Sequence, residues 1–219
     1  MSHILITSGP TRQYLDPVRY LTNASSGRMG AALAEACLRR GHQVTIVSGP
    51  VSIDYPTDAR VVPVISTEDM LATCQEVFPD CDGVIGAAAP CDYRPRHVSI
   101  SKISKTGEPR ELQLVETLDV IATLAESRLP HQWVIGFALE TDDHRFRALA
   151  KLESKSCDLI ILNSPGAIDS DSNEVEILDA SGTTLGTFQG PKSLVARAIL
   201  NVVHRELLAP MLDPSGKPG

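Results

Sequence analysis

The chain has 219 residues, of which 42% are hydrophobic and 21% charged, and its formal net charge is −7 at pH 7. These values predict one large globular domain. The negative charge disfavours nucleic acid as a main partner, since binding a phosphate backbone needs a basic face. No apolar run approaches the roughly 20 residues of a membrane span, and the first residues show no signal peptide. We therefore expect a cytoplasmic protein with no membrane partner.

Apolar runs and helical segments alternate along most of the chain. Helical patterns cover residues 27–40, 67–78, 117–128 and 142–156. The apolar runs suited to buried strands are ILITS, HQVTIVS, RVVPVIS, GVIGAAA, WVIGFA and LIILN. Short apolar strands separated by helices are typical of a mostly parallel sheet covered on both faces. We therefore predict an α/β fold, a Rossmann-like three-layer sandwich with a mostly parallel central sheet.

The pattern changes after residue 163. The segment NEVEILDASGTTLGTFQ alternates on both sides of a turn and predicts a C-terminal β-hairpin. A last helix follows at about 191–208, and residues 209–219 are predicted to be a disordered tail. No internal repeat or linker divides residues 1–208, so we expect them to form a single domain.

Residues 90–116 do not fit the alternation of strands and helices. They are long and polar, and VSISKIS and ELQLVE within them alternate, which predicts an antiparallel flap excursion. One interpretation is a mobile flap that carries Lys102 and Lys105 over a phosphate. The other is a solvated hairpin used for contact between subunits, and both can hold.

After the first apolar run we expect a loop, GPTRQYLDP, over residues 9–17. The segment RYLTNASSGRMG, residues 19–30, then leads directly into a helix. Small residues at a helix start leave backbone N–H groups open to an anion, and the helix dipole adds positive charge there. Arg19 and Asn23 would frame this site. The residues predicted to bind substrate or phosphate are Ser25, Ser26, Gly27 and Arg28. Alternatively, Asn23 is a helix N-cap and the arginines are only solvated.

Polar and aromatic residues follow the ends of several predicted strands. Because ligands of open α/β sheets bind beyond the carboxyl ends of the strands, Asp92 and Phe137 are candidates for a nucleotide site, although Phe137 suits the core equally. Lys151 and Lys155 lie four apart on one helix face, which suits either a triphosphate or a solvated surface.

Several known site patterns are missing from the sequence. Neither GxGxxG nor GxxxxGK[ST] occurs, so a dinucleotide site and a P-loop are weakly supported. The five cysteines are scattered without a CxxC pair, and the six histidines form no HExxH motif. No carboxylate cluster suggests a protein-only metal cage, but Mg²⁺ carried in by phosphates would need few protein ligands.

Taken in order, these segments resemble the phosphopantothenoylcysteine synthetase family over about residues 4–200. ILITSGPTRQYLDPVRYLTNASSGRMG resembles the family's opening, with its D-P-V-R and T-N-x-S-S-G-K/R-M-G motifs. AAAPCDYRP resembles A-A-V-A-D-Y-R-P, KISK resembles the K-x-K-K flap, and VIGFALET resembles G-F-A-x-E-T. KLESKSCDLIILN and DSNEVEIL resemble the family's lysine-containing helix and its D-x-N-x-V motif.

The resemblance implies a ligase that joins 4′-phosphopantothenate to L-cysteine, with CTP forming an acyl-cytidylate and Mg²⁺ as cofactor. It implies that Asn23 holds the intermediate, Arg19 assists the cysteine step and Lys102 reaches the CTP phosphates. The implied nucleotide-contacting residues are Gly86, Ala87, Ala88, Asp92, Lys102, Leu118, Asp119, Val120, Ile121, Phe137, Lys151 and Lys155. It further implies a homodimer with the flap at its interface.

Some positions depart from the family pattern. Ser104 replaces a flap lysine, Pro90 and Cys91 replace a V-A pair, and ETL at 116–118 replaces K-N-P.

Many relatives carry an N-terminal flavin-dependent decarboxylase, which we do not expect in this chain. Two alternatives stay open from the sequence, an NAD(P)-dependent oxidoreductase and a non-catalytic nucleotide-binding module with this fold.

Overall fold

A computed structural model describes residues 1–139, 156–163 and 172–209. The strands are β1 (His3–Ser8), β2 (Arg12–Asp16), β3 (Arg19–Thr22), β4 (Gln43–Ser48), β5 (Arg60–Pro63), β6 (Gly83–Gly86), β7 (Tyr93–Pro95), β8 (Leu114–Glu116), β9 (Trp133–Leu139), β10 (Leu159–Asn163), β11 (Ser172–Asp179) and β12 (Thr184–Pro191). The helices are α1 (Arg28–Leu38), α2 (Thr67–Val77), α3 (Val120–Ser127) and α4 (Lys192–Val203), which continues as a π-helical turn over His204–Leu208.

The main sheet has eight strands in the order β12-β11-β10-β9-β6-β1-β4-β5. The strands from β10 to β5 in this order are parallel, while β11 and β12 form an antiparallel hairpin on the β10 edge. From β1 the chain first builds outward through β4 and β5, then returns to the other side of β1 with β6. The strand order therefore reverses between β1 and β6, which confirms the Rossmann-like prediction and marks the crevice where such sheets bind ligands.

The core lies on both faces of this sheet. Ile4 and Ile6 of β1 pack with α1 and α4 on one face, whereas Leu5 between them packs with α2 and α3 on the other. Alternate side chains of a strand point to opposite faces, so a strand that is apolar throughout serves two helical layers. The predicted three-layer arrangement is thus confirmed.

Helix boundaries differ from the predictions by at most three residues. The helix expected from residue 117 begins at Val120, because the Asp119 carboxylate accepts a hydrogen bond from the Ala122 N–H at 3.0 Å. The helix predicted over 142–156 lies outside the described residues except for Ser156. The predicted tail also lies outside them, except for Ala209.

Two predictions about extended structure were wrong. The loop expected over residues 9–17 contains β2, which pairs with β3 in an antiparallel hairpin. In the flap, the antiparallel pairing of β7 with β8 confirms the predicted excursion, but the expected strand over VSISKIS does not form. Its apolar side chains Val98 and Ile100 are exposed, Ile100 by 98%, so within the described residues these side chains cover no apolar face.

Within the described residues, no helix combines the length and the apolar character needed to cross a bilayer.

Candidate active site

A cleft of about 250 Å³ lies at the point where the strand order reverses. It opens at the carboxyl ends of β1, β6 and β9 and beside the start of α3. Its lining residues are Thr7, Gly86, Ala88, Pro90, Asp92, Tyr93, Glu116, Thr117, Leu118, Asp119, Val120, Ile121, Gly136 and Phe137. Small residues on the floor, an aromatic ring and three carboxylates provide backbone access, a surface for a base and acceptors for hydroxyl or amino groups.

The loop after β6 is held by a closed ring of three buried hydrogen bonds. The Cys91 N–H donates to Thr11 Oγ1 at 2.8 Å, and Thr67 Oγ1 donates to the Cys91 carbonyl at 3.0 Å. Thr11 and Thr67 hydroxyl oxygens lie 2.8 Å apart. Because the Thr67 proton is committed to Cys91, Thr11 must donate to Thr67. Thr117 Oγ1 adds a fourth bond to the Cys91 carbonyl at 2.7 Å, so this loop is rigidly placed at the cleft.

Asn23 is not a helix cap. Its Nδ2 donates to the carbonyl of Pro90 at 2.8 Å and to that of Ala89 at 3.3 Å. Since both partners are carbonyl oxygens, the amide nitrogen must face them and Oδ1 must face away. The N-cap of α1 is instead Gly27, which makes no side-chain capping bond. Asn23 thus contacts the loop whose Pro90 lines the cleft.

The N-terminus of α1 is packed tightly against the end of β1. Gly27 has a φ of 75°, a conformation that favours glycine. A Cβ on Gly30 would lie 2.1 Å from Ser8 Oγ. Ser8 Oγ donates to the Gly27 carbonyl at 3.2 Å and accepts from the Tyr55 hydroxyl at 2.9 Å. The first turn of α1 carries no acidic side chain that would compete with an anion for its N–H groups. Ser25 and Ser26 beside it are half-buried.

Arg19 is held by a buried carboxylate that the sequence did not single out. Its Nε lies 2.9 Å from Asp16 Oδ2, and its Nη2 donates to the Ile103 carbonyl at 2.6 Å. Burial raises the pKa of Asp16, but N–H groups of Val18 and Ile103 and the Arg19 guanidinium outweigh burial and lower the pKa to about 2. Asp16 therefore stays ionised at neutral pH. The D-P-V-R motif contained this residue, but only the fold shows that it is buried.

The structure brings most of the predicted nucleotide residues together. Gly86, Ala88, Asp92 and Phe137 line the cleft, as does the whole segment 118–121. Phe137 is half-buried and also packs against the core, so both interpretations of this residue hold. Ala87 is not a lining residue and packs on the core beneath the cleft.

Of the predicted phosphate-binding lysines, only Lys102 lies within the described residues. Lys102 is exposed in the flap and is not among the lining residues, and Lys151 and Lys155 lie outside the described residues. Arg28 is exposed at the start of α1. In the part of the chain that the structure describes, no group of three His, Cys, Asp or Glu side chains is placed to hold a metal ion.

The parallel sheet and its crevice define a Rossmann-like α/β protein with a ligand site at the reversal of strand order. A family model described as the DNA/pantothenate metabolism flavoprotein C-terminal domain matches residues 1–207. The chain belongs to this family.

Similar proteins include both longer chains and an isolated domain. The chain is 40% identical over 185 residues to the coenzyme A biosynthesis bifunctional protein CoaBC of Bacillus subtilis, covering 82% of this chain and 45% of that one. It is 39% identical over 210 residues to a cysteine/cysteine sulfinic acid decarboxylase of an unidentified prokaryote, covering 92% of this chain and 58% of that one. The chain thus spans about half the length of these relatives. A crystal structure of the C-terminal domain of a CoaBC protein is 36% identical, with a TM-score of 0.79, and covers 95% of this chain and 96% of that domain.

Proposed function

We propose that this protein is a ligase that joins 4′-phosphopantothenate to L-cysteine, using CTP to activate the carboxylate. The observation that carries this proposal is the contact of the Asn23 amide with the Pro90 carbonyl. Pro90 lines the cleft, so this contact supports a role for Asn23 in holding the reactive intermediate beside a bound nucleotide. Membership of a pantothenate-metabolism family and the identity to CoaBC proteins support the same reaction.

A carboxylate is a poor acyl donor, so the chemistry needs a leaving group from the nucleotide. In the first step a carboxylate oxygen attacks the α-phosphorus of CTP, and pyrophosphate leaves. In the second step the cysteine amine attacks the acyl carbon, and CMP leaves with the bonding electrons. The protein must place two anions side by side and stabilise the developing charge. The cleft would take the nucleotide, and the N-terminus of α1 beside it would take an anion of the second substrate.

Cations would come to the triphosphate from the flap and from the segment before β10. We assign this role to Lys102, Lys151 and Lys155, and we propose Mg²⁺ as a further counterion. A Mg²⁺ ion carried by phosphates needs one or two carboxylates, and Asp92, Glu116 and Asp119 line the cleft. When bound, the ion would neutralise phosphate charge, and the protein side chains would orient the triphosphate around it.

We further propose that the protein works as a homodimer in the cytoplasm. Apolar side chains of the β2–β3 turn and of the flap are left uncovered, with Val18 exposed by 57% and Ile100 by 98%. Uncovered apolar residues on adjoining segments suit a second copy of the same surface. Ile100→Asp should shift the protein to a monomer in sedimentation velocity. Leu194→Asp, at an exposed leucine of α4, is the matched control and should not.

The decisive test of the reaction is pyrophosphate release with 4′-phosphopantothenate, L-cysteine and a panel of CTP, ATP, GTP and UTP. We expect release and formation of 4′-phosphopantothenoylcysteine, with CTP the best nucleotide. Release with ATP but not CTP would overturn the nucleotide assignment alone. No release with any nucleotide would overturn the ligase.

The role of Asn23 is tested by Asn23→Ala. The side chain is exposed and its bonds go to loop carbonyls that face solvent, so we expect normal folding and a rate of product formation at least a hundredfold lower. The control is Asn201→Ala, at an exposed asparagine on α4, which should keep the rate. An unchanged rate in Asn23→Ala would contradict the assignment.

A further inference from the structure

Asp16 joins the β2–β3 hairpin to the flap. Its side chain has no exposed area. Oδ1 accepts hydrogen bonds from the N–H groups of Val18 and Arg19 at 2.9 and 3.0 Å, which fixes the hairpin turn. Oδ2 accepts from Arg19 Nε at 2.9 Å and from the Ile103 N–H at 3.1 Å. One carboxylate therefore connects the turn, the arginine and a flap residue 87 positions further along the chain.

The flap is held at both peptide groups of Ile103. Its N–H is bound by Asp16, and its carbonyl accepts from Arg19 Nη2 at 2.6 Å. A third bond runs from the Ser99 N–H to the Leu15 carbonyl at 2.9 Å. Residues 97–113 contain no helix or strand, so these bonds are main constraints on this part of the flap. Lys102 lies between the bound residues.

The same contacts orient the guanidinium of Arg19. Its contacts with Asp16 and Ile103 use Nε and Nη2. A guanidinium is planar and its N–H groups point in fixed directions. Because the edge formed by Nε and Nη2 faces Asp16, the Nη1 edge points away from Asp16. The Arg19 side chain as a whole remains 46% exposed.

We propose that Asp16 is a positioning residue that fixes Arg19 and the Lys102 segment as one unit. This inference rests on the proposed function for its kinetic consequence, but not for the contact itself. Asp16 touches no substrate in this role. It acts through two cations that would otherwise move independently, because a long side chain and an irregular segment lose their anchor when the carboxylate is removed.

The contact is tested first without any substrate, by amide hydrogen exchange of the full chain. Asp16→Asn keeps the shape and one acceptor oxygen but removes the charge. We expect the Ile103 amide to exchange at least tenfold faster in this variant. Asp179→Asn is the matched control, because Asp179 also accepts backbone N–H bonds in a hairpin turn, at the opposite end of the sheet. Unchanged Ile103 exchange in Asp16→Asn would overturn the contact, whatever the protein catalyses.

The positioning role is tested by ligation kinetics in a double-mutant cycle with Lys102→Ala. We expect Asp16→Asn to lower kcat at least tenfold in the otherwise unchanged chain but less than threefold in the Lys102→Ala background. Residues that act as a unit give such non-additive effects, whereas general destabilisation would lower both equally. The positioning role would be refuted if Ile103 exchange became faster while kcat stayed unchanged, or if the losses in kcat of the two substitutions were fully additive. Neither result would contradict the proposed ligase activity.

A second variant reaches the same contact from the flap, in case Asp16→Asn fails to fold. Ile103→Pro removes the N–H that Asp16 accepts and lies in an irregular segment where proline is tolerated. We expect faster tryptic cleavage after Lys105, in the same irregular segment, and the same fall in kcat. Cleavage and kcat both equal to those of the unchanged chain would overturn the proposal. Absence of ligation in the unchanged chain would remove the function but leave the cleavage result decisive for the contact.

Discussion

Replacing Thr11 by valine should destabilise the protein and misplace the cleft loop at the same time. Valine has the shape of threonine but no hydroxyl, so the ring through Thr11, Thr67 and Cys91 would open. Two of its bonds, both 2.8 Å long, would disappear. The Thr67 hydroxyl keeps its bond to the Cys91 carbonyl, but the Cys91 N–H is left buried without its acceptor.

The expected magnitude follows from these two losses. A buried donor without a partner costs about 1–3 kcal/mol, and a lost hydrogen bond between hydroxyls costs about 1 kcal/mol. We therefore expect Thr11→Val to lower the free energy of unfolding by about 2–4 kcal/mol. For a chain of this size, each kcal/mol corresponds to about 2–4 °C in Tm. Ligation should also fall, because Pro90 and Asp92 of this loop line the cleft.

Urea unfolding is the assay, with the midpoint read at an unchanged slope. Thr11→Ser is the matched control, since it restores the hydroxyl and loses one buried methyl group, at about 1 kcal/mol. Thr117→Val is a second control, because the Cys91 carbonyl keeps its bond from Thr67. The reasoning is refuted if Thr11→Val is as stable as the unchanged chain, or if Thr11→Ser is equally destabilised.

Three further predictions use other parts of the molecule. Gly30→Ala should lower the free energy of unfolding by about 1–3 kcal/mol in urea, because its Cβ would lie 2.1 Å from Ser8 Oγ; an unchanged midpoint would contradict this packing. The pKa of Asp16 is lowered to about 2, so the stability that its ionised form gives is complete above about pH 4 and is lost as the pH falls through about 2. Unfolding measured from about pH 5 downward should therefore depend less steeply on pH in Asp16→Asn, and an equal slope would oppose the assignment. All five cysteines are buried and lie outside any disulfide, and burial raises the pKa values of three of them to about 12. A thiol reagent should therefore titrate five groups only after denaturation, and rapid labelling of the native protein would count against this placement.

The central sheet and much of the cleft were predictable because their signals are local. A run such as ILITS is apolar at every position, and this indicates a strand covered on both faces wherever it lies in the chain. Residues just after such strands reach the same edge of a parallel sheet. Asp92 and Phe137 were identified on that basis, and both line the cleft. The C-terminal hairpin was equally visible from its alternation around a turn.

The hairpin β2–β3 was not predictable, because its buried positions are polar. Gln13 and Asp16 are covered by residues far away in sequence, Gln13 by Glu68 and Asp16 by Ile103. Since the buried positions of β2 are occupied by polar residues, its sequence shows no alternation of apolar and polar residues that would predict a strand. VSISKIS shows the opposite case, because its residues alternate but no strand among the described residues pairs with it.

The sequence by itself determined the sheet, the helical layers and the residue types at the strand ends, since periodicity and strand length follow from neighbouring residues. Tertiary structure alone decided what the polar residues do. It turned Asn23 from a possible helix cap into a partner of the Pro90 carbonyl, and it made Asp16 the common acceptor for Arg19 and the flap. These bonds join residues 67 and 87 positions apart, and only the packing of the whole chain brings such residues within hydrogen-bonding distance.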